Sequence, residues 1–503
     1  MKKRFLKTAV CMIAAGVLAV SGTGLTVRAE EGYTYSYDYW GDIQYSPDAY
    51  EVVGVYTSAD LGLELPLKRP EGLFVKGNSI YVCDTGNNRI LELQRTDKDT
   101  ISYVRSIDGI RGDVEVKEFN SPTDVTITDD GYIYVADMNN CRILKLDMDG
   151  NYIMAFTKPT DATFNQEIDF LPAKIAVDTA GRVYCVAKNV NKGLVKFEND
   201  GVFSGFVGAT PVTYNWTDYV WKKFASKTQR ENMEKFTPTE YDNLYMDHEG
   251  FIYATITQAN QDDIDSGDTD IVKKLNLMGS DILVRNGELY VIGDLYWGNG
   301  GGYDGPSLFT DVTAMENDIY FVLDKTRGRV FAYDDQGRML YGFGGPGNEG
   351  GYFRRPVALD HMEHDLLVLD SQDNSITLFT PTQYGQLIFD AIEQFQDGFY
   401  DESGASWQEV MNQNNNYDLA YIGIGRSLLR QKKYQEAMDY FKLKYDDDNY
   451  SKAFKQYRKQ WVEDHIGIIF AVVALLMIVP LAIGRIKRIR WEIDKADIFM
   501  NQK

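Results

Sequence analysis

The chain is short of cysteine, histidine and positive charge. Its 503 residues hold 4 Cys and 4 His, and 52 Lys and Arg face 74 Asp and Glu, for a formal net charge of −22. Past residue 29 only Cys83, Cys141 and Cys185 remain. An odd, scattered set excludes a disulfide framework and reads as packed, unreactive thiols. The acid surplus excludes a nucleic-acid partner held by bulk electrostatics. The imidazoles are His248, His361, His364 and His465. His361 and His364 have HxxH spacing, but the pattern puts His248 and His361 in exposed turns between strands. It is not the helical HExxH face of a zinc protease. No nucleophile elbow and no paired catalytic cysteine occur. The glycine-rich stretch at 296–305 has no following Lys-Ser/Thr, so it is no phosphate cradle.

What is present is most telling at the two ends. Lys2, Lys3, Arg4 and Lys7 precede the apolar run AVCMIAAGVLAV, and Val27 and Ala29 occupy the small positions before a cut. Residues 1–29 therefore read as a secretory signal, with Glu30 as the mature start. An uncleaved anchor is the alternative. Near the other end, Ile466–Gly484 carries no charge and is long enough to cross a bilayer. Arg485, Lys487, Arg488 and Arg490 follow at once, and the positive-inside bias puts that side in the cytosol. Both signals predict a single-pass cell-membrane protein with its bulk extracytoplasmic and residues 485–503 as a basic cytoplasmic tail. The span is drawn at 464–484.

Between the ends the sequence repeats itself. YVCDTGNNRILEL at 81–93 is echoed by YVADMNNCRILKL at 134–146. Related units begin at Pro70, Pro122, Pro172, Tyr241, Thr310 and Pro356, most of them about 50 residues apart. Each reads as a short alternating strand, a tight turn such as DDG, TAG or HEG, a β-rich strand, a polar turn and further strands. Period and strand count predict a mainly β fold, a radial propeller of four-stranded blades. The sixth unit lacks a fourth strand, and Glu51–Ser58 is a spare one. It is expected to complete the sixth blade and hide an exposed edge.

The signature at Tyr81–Ile90 and Tyr134–Ile143, with the linker Gly342–Pro356, resembles the NHL repeat, a six-bladed propeller family. The resemblance covers residues 51–380, after a Tyr-rich segment at 30–50. Asp and Arg recur at one spacing: Asp84 with Arg89, Asp137 with Arg142, Asp324 with Arg329. These are predicted to be turn-locking pairs. Ala187 and Ile256 replace the Asp in the third and fourth units, and Ser375 replaces the Arg in the sixth. Asn215–Phe236 has helical spacing and reads as a rim insertion. Asp262–Asp270 and Tyr296–Gly305 read as loops, where recognition tends to sit on a rigid scaffold.

After Thr380 the pattern turns helical. Residues 381–463 are predicted to form an α-helical stalk. Ala420–Phe441 resembles a tetratricopeptide repeat, with Ala420 and Gly423 where helices cross and Tyr434 and Ala437 on the next helix. That resemblance implies a protein-binding element.

Two functional classes follow. The order of segments resembles a type of Gram-positive surface protein that accompanies carbohydrate ABC transporters. This implies a membrane-anchored scaffold with a protein partner, a transporter or other membrane subunit, and a carbohydrate or cell-wall ligand as a further possibility. The alternative is a surface lactonase or hydrolase, since lactonases of the gluconolactonase type hold a metal in the channel of the same ring. The inner-strand positions here are Gly72, Asp124, Lys174, Asn243, Asp311 and Ala358. Asp124, Asn243 and Asp311 offer oxygen to a hard cation, whereas Lys174 would repel one. These four are the candidate channel-mouth ligand residues. Peptide-amidating lyases share the propeller and use histidine ligands to zinc, which four scattered histidines do not supply. No catalytic residue and no cofactor is assigned. The acidic loop at 262–270 is a candidate Ca²⁺ site without the spacing of an EF-hand.

Overall fold

The computed structural model describes residues 34–208, 240–257, 270–285, 291–295 and 305–500. The expected signal at 1–29, the rim helix at 215–236, the candidate calcium loop and most of 296–305 lie outside the described residues. The chain divides into two compact units, Met1–Phe389 and Asp390–Lys503.

The first unit is built from six antiparallel sheets. Their inner strands are Gly72–Lys76, Pro122–Ile127, Leu171–Val177, Asn243–Met246, Phe309–Ala314 and Pro356–Met362. Each touches the next, and the last touches the first, so the sheets close into a ring. We number the sheets one to six in this order. Five of them have four or more strands; sheet four has three among the described residues. The expectation of six four-stranded blades is met in those five.

The second strand of each sheet lies between neighbouring sheets, so both of its faces must be apolar. Ile80–Cys83, Ile133–Ala136, Val183–Ala187, Phe321–Leu323 and Leu366–Leu369 are accordingly buried without a break. The core is thus a set of seams. Val82 and Leu91 of sheet one pack with Leu367 and Leu378 of sheet six, and Ile143 and Phe156 of sheet two pack with Cys185 and Phe197 of sheet three. Burying each such aliphatic side chain contributes about 1.5–3 kcal/mol.

Four of the turns follow from Asp and Gly placed three apart. Asp147, Asp178, Asp247 and Asp334 each accept N–H groups two and four residues ahead on one carboxylate oxygen. The glycine in each turn, Gly150, Gly181, Gly250 or Gly337, has φ between 75° and 86°, a region a side chain resists.

Tyr50–Tyr56 pairs antiparallel with Ser375–Pro381, with Val55 opposite Thr377. The ring is therefore tied between its N-terminal strand and its last sheet. A second N-terminal addition has no counterpart in the sequence reading. Thr34–Tyr37 and Ile43–Ser46 form a hairpin that extends the outer edge of sheet five, Tyr35 lying opposite Gly342. A Cβ at Gly342 would stand 2.9 Å from the Phe331 ring.

Five helices follow: α1 Gln383–Gln396, α2 Tyr400–Gln413, α3 Asp418–Arg430, α4 Tyr434–Leu443 and α5 Asp447–Met500. In the second unit α2 packs on α3, α3 on α4, and α4 on α5. The crossings need small residues. A Cβ at Gly423 would stand 2.4 Å from Trp407 Nε1, and one at Gly425 would stand 2.6 Å from the Phe441 ring. Ala420 and Ala437 are fully buried, while Tyr434 is half-buried at the start of α4. Helix α5 contains a stretch long and apolar enough to cross a membrane.

Candidate functional site

The inner strands carry a local irregularity that aims side chains at the ring axis. The register against the second strand slips between Pro122 and Asp124, Pro172 and Lys174, Phe309 and Asp311, and Pro356 and Ala358. A bulge of this kind re-aims one side chain and frees it from the ladder. Asp124, Lys174 and Asp311 stand directly at these slips, and Asn243 begins the inner strand of sheet four.

Most of the polar capacity of these groups is spent on the ring itself. Asp124 Oδ2 accepts the N–H of Ile175 in sheet three at 2.8 Å. Asp311 Oδ2 accepts the N–H of Leu359 in sheet six at 2.7 Å, and its Oδ1 accepts the N–H of Val312 at 2.8 Å. The Asn243 amide donates to Asp311 Oδ1 at 2.6 Å and to the Thr310 carbonyl at 3.1 Å. Lys174 Nζ lies 3.3 Å from the Glu71 carbonyl and 3.8 Å from Asp124 Oδ1. The four predicted residues thus form two pairs, Asn243 with Asp311 and Lys174 beside Asp124, and each residue ties its own sheet to another.

A second layer lies further along the same strands. Asp360 Oδ2 accepts the N–H of Val75 in sheet one at 2.7 Å. Thr313 Oγ1 donates to Asp360 Oδ1 at 3.2 Å and lies 2.7 Å from His361 Nδ1. His361 is therefore not in an exposed turn, as the sequence pattern suggested. It sits on the inner strand of sheet six, because the turn falls two residues later, at Glu363 and His364. His364 stacks on Phe389, ring centroids 4.5 Å apart.

Burial dominates the electrostatics. It lifts the Asp124 carboxyl to about 6, against the Lys174 charge and two backbone N–H donors. It lifts Asp311 to about 7 against the same kinds of opposition. Burial pulls Lys174 down, but Asp124 and Asp311 outweigh it and hold the ammonium above its ordinary value. Burial also drives the Cys83 and Cys185 thiols well up, which leaves them unreactive. A raised carboxyl favours the native state when protonated. This contribution is complete below the ordinary value of 3.8 and is lost as the pH rises through about 6 and 7. The propeller is expected to melt at a higher temperature at pH 5 than at pH 8. Asp311→Asn should flatten that slope in calorimetry, and an unchanged slope would refute the assignment.

The predicted turn pairs divide. Arg89 Nε meets Asp84 Oδ2 at 2.7 Å and Arg142 Nε meets Asp137 Oδ2 at 2.8 Å, all four side chains being buried. Each Arg also donates to carbonyls of the incoming linker, Leu65 for Arg89 and Val116 for Arg142. The third pair is corrected. Asp324 and Arg329 are opposite in register, but Arg329 Nη1 turns to Asp294 at 2.5 Å. Arg327 takes its place at Asp324, 3.3 Å away. The cause is the N-terminal hairpin: Tyr35 and Tyr37 both donate to Asp294 Oδ1, gathering the arginines around that buried carboxylate. Neither Asp294 nor the hairpin carries a repeat signal, so no pattern in the sequence pointed to them.

A resident metal, as in the lactonase reading, can be tested against these groups. Asp124 and Asp311 are committed to backbone N–H groups, and the Lys174 ammonium lies 3.8 Å from Asp124. Calcium needs six to eight oxygens at about 2.3–2.6 Å, so the channel mouth does not fit one. Among the described residues, Asp247, Glu249 and Asp318 lie within 4.8 Å of one another. There too a lysine is in place, Lys274 Nζ lying 3.2 Å from Asp247 and 2.9 Å from Asp318.

The ring and its repeats define a β-propeller, followed by a C-terminal helical unit. Residues 119–146 match the NHL repeat. Over 127 residues the chain is 31% identical to a Caenorhabditis elegans protein described as a probable peptidyl-alpha-hydroxyglycine alpha-amidating lyase, pgal-1. That match takes in 24% of this chain and 35% of the relative, so the chain spans about a third of the relative's length. Among solved structures, a streptogramin B lyase is similar at 11% identity and a TM-score of 0.39, with 67% of this chain and 100% of that one covered. A Bacteroides thetaiotaomicron protein of unknown function is similar at 11% identity and a TM-score of 0.41, with 68% and 80% covered. Likenesses at this level carry no argument about activity.

Proposed function

We propose that the chain is a membrane-anchored extracytoplasmic scaffold whose propeller and helical unit bind a protein partner, a transporter or other membrane subunit, and that its channel performs no metal chemistry. The observation that carries this reading is the commitment of the channel groups to the ring: Asp124 and Asp311 each accept an N–H of a neighbouring sheet, and the Lys174 ammonium lies beside Asp124. Helix α5 supplies a span of suitable length, and the basic residues after Gly484 favour a cytosolic tail. The close helix crossings at Gly423 and Gly425 give the second unit a rigid surface of the kind that binds protein. A sugar or cell-wall fragment as cargo of the partner fits the same reading.

Co-purification from detergent-solubilised native membranes tests it. The full chain is expected to bring down membrane subunits that a form ending before Tyr384 does not. Equal recovery by both forms, or by neither, would contradict the reading. One finding favours a second reading, the 31% identity to a lyase over 127 residues. Under that reading a peptidyl-α-hydroxyglycine would be turned over by the purified chain; the proposal expects no turnover.

A further inference from the structure

Helix α5 runs without a break over Asp447–Met500. It leaves its unit at Ala453, which is buried with Ala437 and Phe441 of α4. Beyond that point its large apolar side chains are exposed. For Ile466–Gly484 a bilayer accounts for the exposure. That stretch rises about 28 Å, against a hydrocarbon core of ~30 Å, so it fills the core without the residues that follow. Yet Ile486, Ile489 and Ile493 are 52%, 54% and 55% exposed. They stand at i, i+3 and i+7, on one face of the helix. On an upright helix Ile493 lies about 13 Å past Gly484, beyond an interfacial layer of roughly 5–8 Å. Lipid does not cover it there.

The opposite face of this segment is satisfied within α5. Arg488 pairs with Glu492 at 3.5 Å, and the Lys495 ammonium lies 4.4 Å from the centre of the Trp491 ring. Arg488, Trp491 and Lys495 point away from the isoleucines. Arg485 and Arg490 flank the isoleucine stripe on its two sides, and among the described residues neither pairs with a carboxylate. The stripe also continues a seven-residue spacing that begins in the span, Val472, Val479, Ile486 and Ile493. This is the seam of a helix that packs lengthwise on another, and β-branched residues at that position favour two parallel strands.

We propose that the cytosolic end of α5 is a docking face for a parallel helix of a different chain, the extension of a transmembrane helix with carboxylates in its first two turns past the bilayer. This rests on the scaffold reading and deepens it, naming where the membrane subunit is gripped and by what chemistry. A second copy of this chain is the wrong occupant. In a parallel pair Arg485 of one helix would stand beside Arg490 of its copy, on both sides of the seam, and like charges at these flanking positions reject a partner. A helix with Asp or Glu there meets both guanidinium groups with charge-assisted hydrogen bonds while it covers the isoleucines.

The test is photo-crosslinking in native membranes. The full chain carries p-benzoylphenylalanine in place of Ile489, on the stripe, or in place of Trp491, on the opposite face. Ile489 is expected to give an adduct with a different chain, and Trp491 is not. The attached peptide, read by mass spectrometry, should carry Asp or Glu directly after a transmembrane stretch. Adding Arg485→Gln and Arg490→Gln should cut the adduct about tenfold, whereas Lys487→Gln, away from the stripe, should leave it unchanged. An adduct of the chain with itself, an adduct with lipid alone, equal yields from the two positions, or a peptide without such acids would each overturn the proposal. If membrane subunits co-purify with the full chain but Ile489 attaches to none of them, this docking face is refuted and the scaffold reading stands. If none co-purifies and Ile489 attaches to no other chain, both fail.

Discussion

Replacing Asp84 by alanine is expected to cost the propeller about 3–5 kcal/mol, the penalty of stranding a buried charge. The carboxylate it removes is fully buried and serves three donors: Arg89 Nε at 2.7 Å, the Asn87 amide at 2.8 Å and the Lys68 N–H at 2.8 Å. The Arg89 guanidinium would keep its bond to the Leu65 carbonyl but lose its counter-charge. A fall in melting temperature on the order of 5–10 °C is the expected reading. Asp137→Ala should behave alike, since Asp137 holds Arg142, the Asn140 amide and the Asn120 N–H in the same way. Arg329→Ala should act differently. It should loosen the N-terminal hairpin held through Asp294 while leaving the Asp324 turn intact, because Arg327 serves that carboxylate. A change within 0.5 kcal/mol for Asp84→Ala would contradict this account of the buried pairs.

A still larger effect is expected from a chain lacking residues 30–58. This removes the strand Tyr50–Tyr56 and exposes the edge strand Ser375–Pro381, whose Ile376 and Leu378 are fully buried. It also removes the Ala49 carbonyl, which accepts the N–H of Thr382 at 3.0 Å as the chain enters α1. An unpaired apolar edge invites pairing with another chain, so the truncated protein should aggregate and lose its cooperative melting transition. A peptide spanning residues 49–58, added in trans during refolding, should restore both solubility and cooperativity. A monomeric truncation product that melts within a few degrees of the full chain would show that the ring does not depend on this closure.

The propeller was legible because its constraints are local. Second strands buried on both faces must be continuously apolar, as at Ile80–Cys83, and several of the turns between strands are marked by a glycine, as at Gly131, Gly181 and Gly250. The strand Tyr50–Tyr56 was legible by elimination, as a strand without a sheet of its own. The hairpin Thr34–Ser46 was not, because a tyrosine-rich stretch with no repeat partner gives no clue to which sheet it extends. Its docking on sheet five depends on Asp294, far away in the sequence. That same contact redirected Arg329: the register opposite Asp324 was readable from the repeat, but the direction of the side chain was set by a neighbour the repeat does not contain. In the channel, the aligned repeats placed Asp124, Lys174 and Asp311 at equivalent inner-strand positions, two residues after Pro122, Pro172 and Phe309. What the spacing could not convey was that each carboxylate also caps the next sheet, because those bonds depend on how closely the inner strands approach. His361 was misplaced for a simpler reason: a strand two residues longer than expected moved it from a turn to the axis.

The central claim is that the propeller and helical unit are displayed outside the membrane on α5. Labelling of single cysteines in intact cells with a membrane-impermeant maleimide tests it most directly. The background is Cys141→Ser with the buried Cys83 and Cys185 retained, and cysteine is placed at exposed Ala405 on α2 or at exposed Asp494 beyond the span. The account predicts labelling of A405C in intact cells, and of D494C only after the membrane is permeabilised. The reverse pattern, or protection of both positions until the cells are opened, would contradict it.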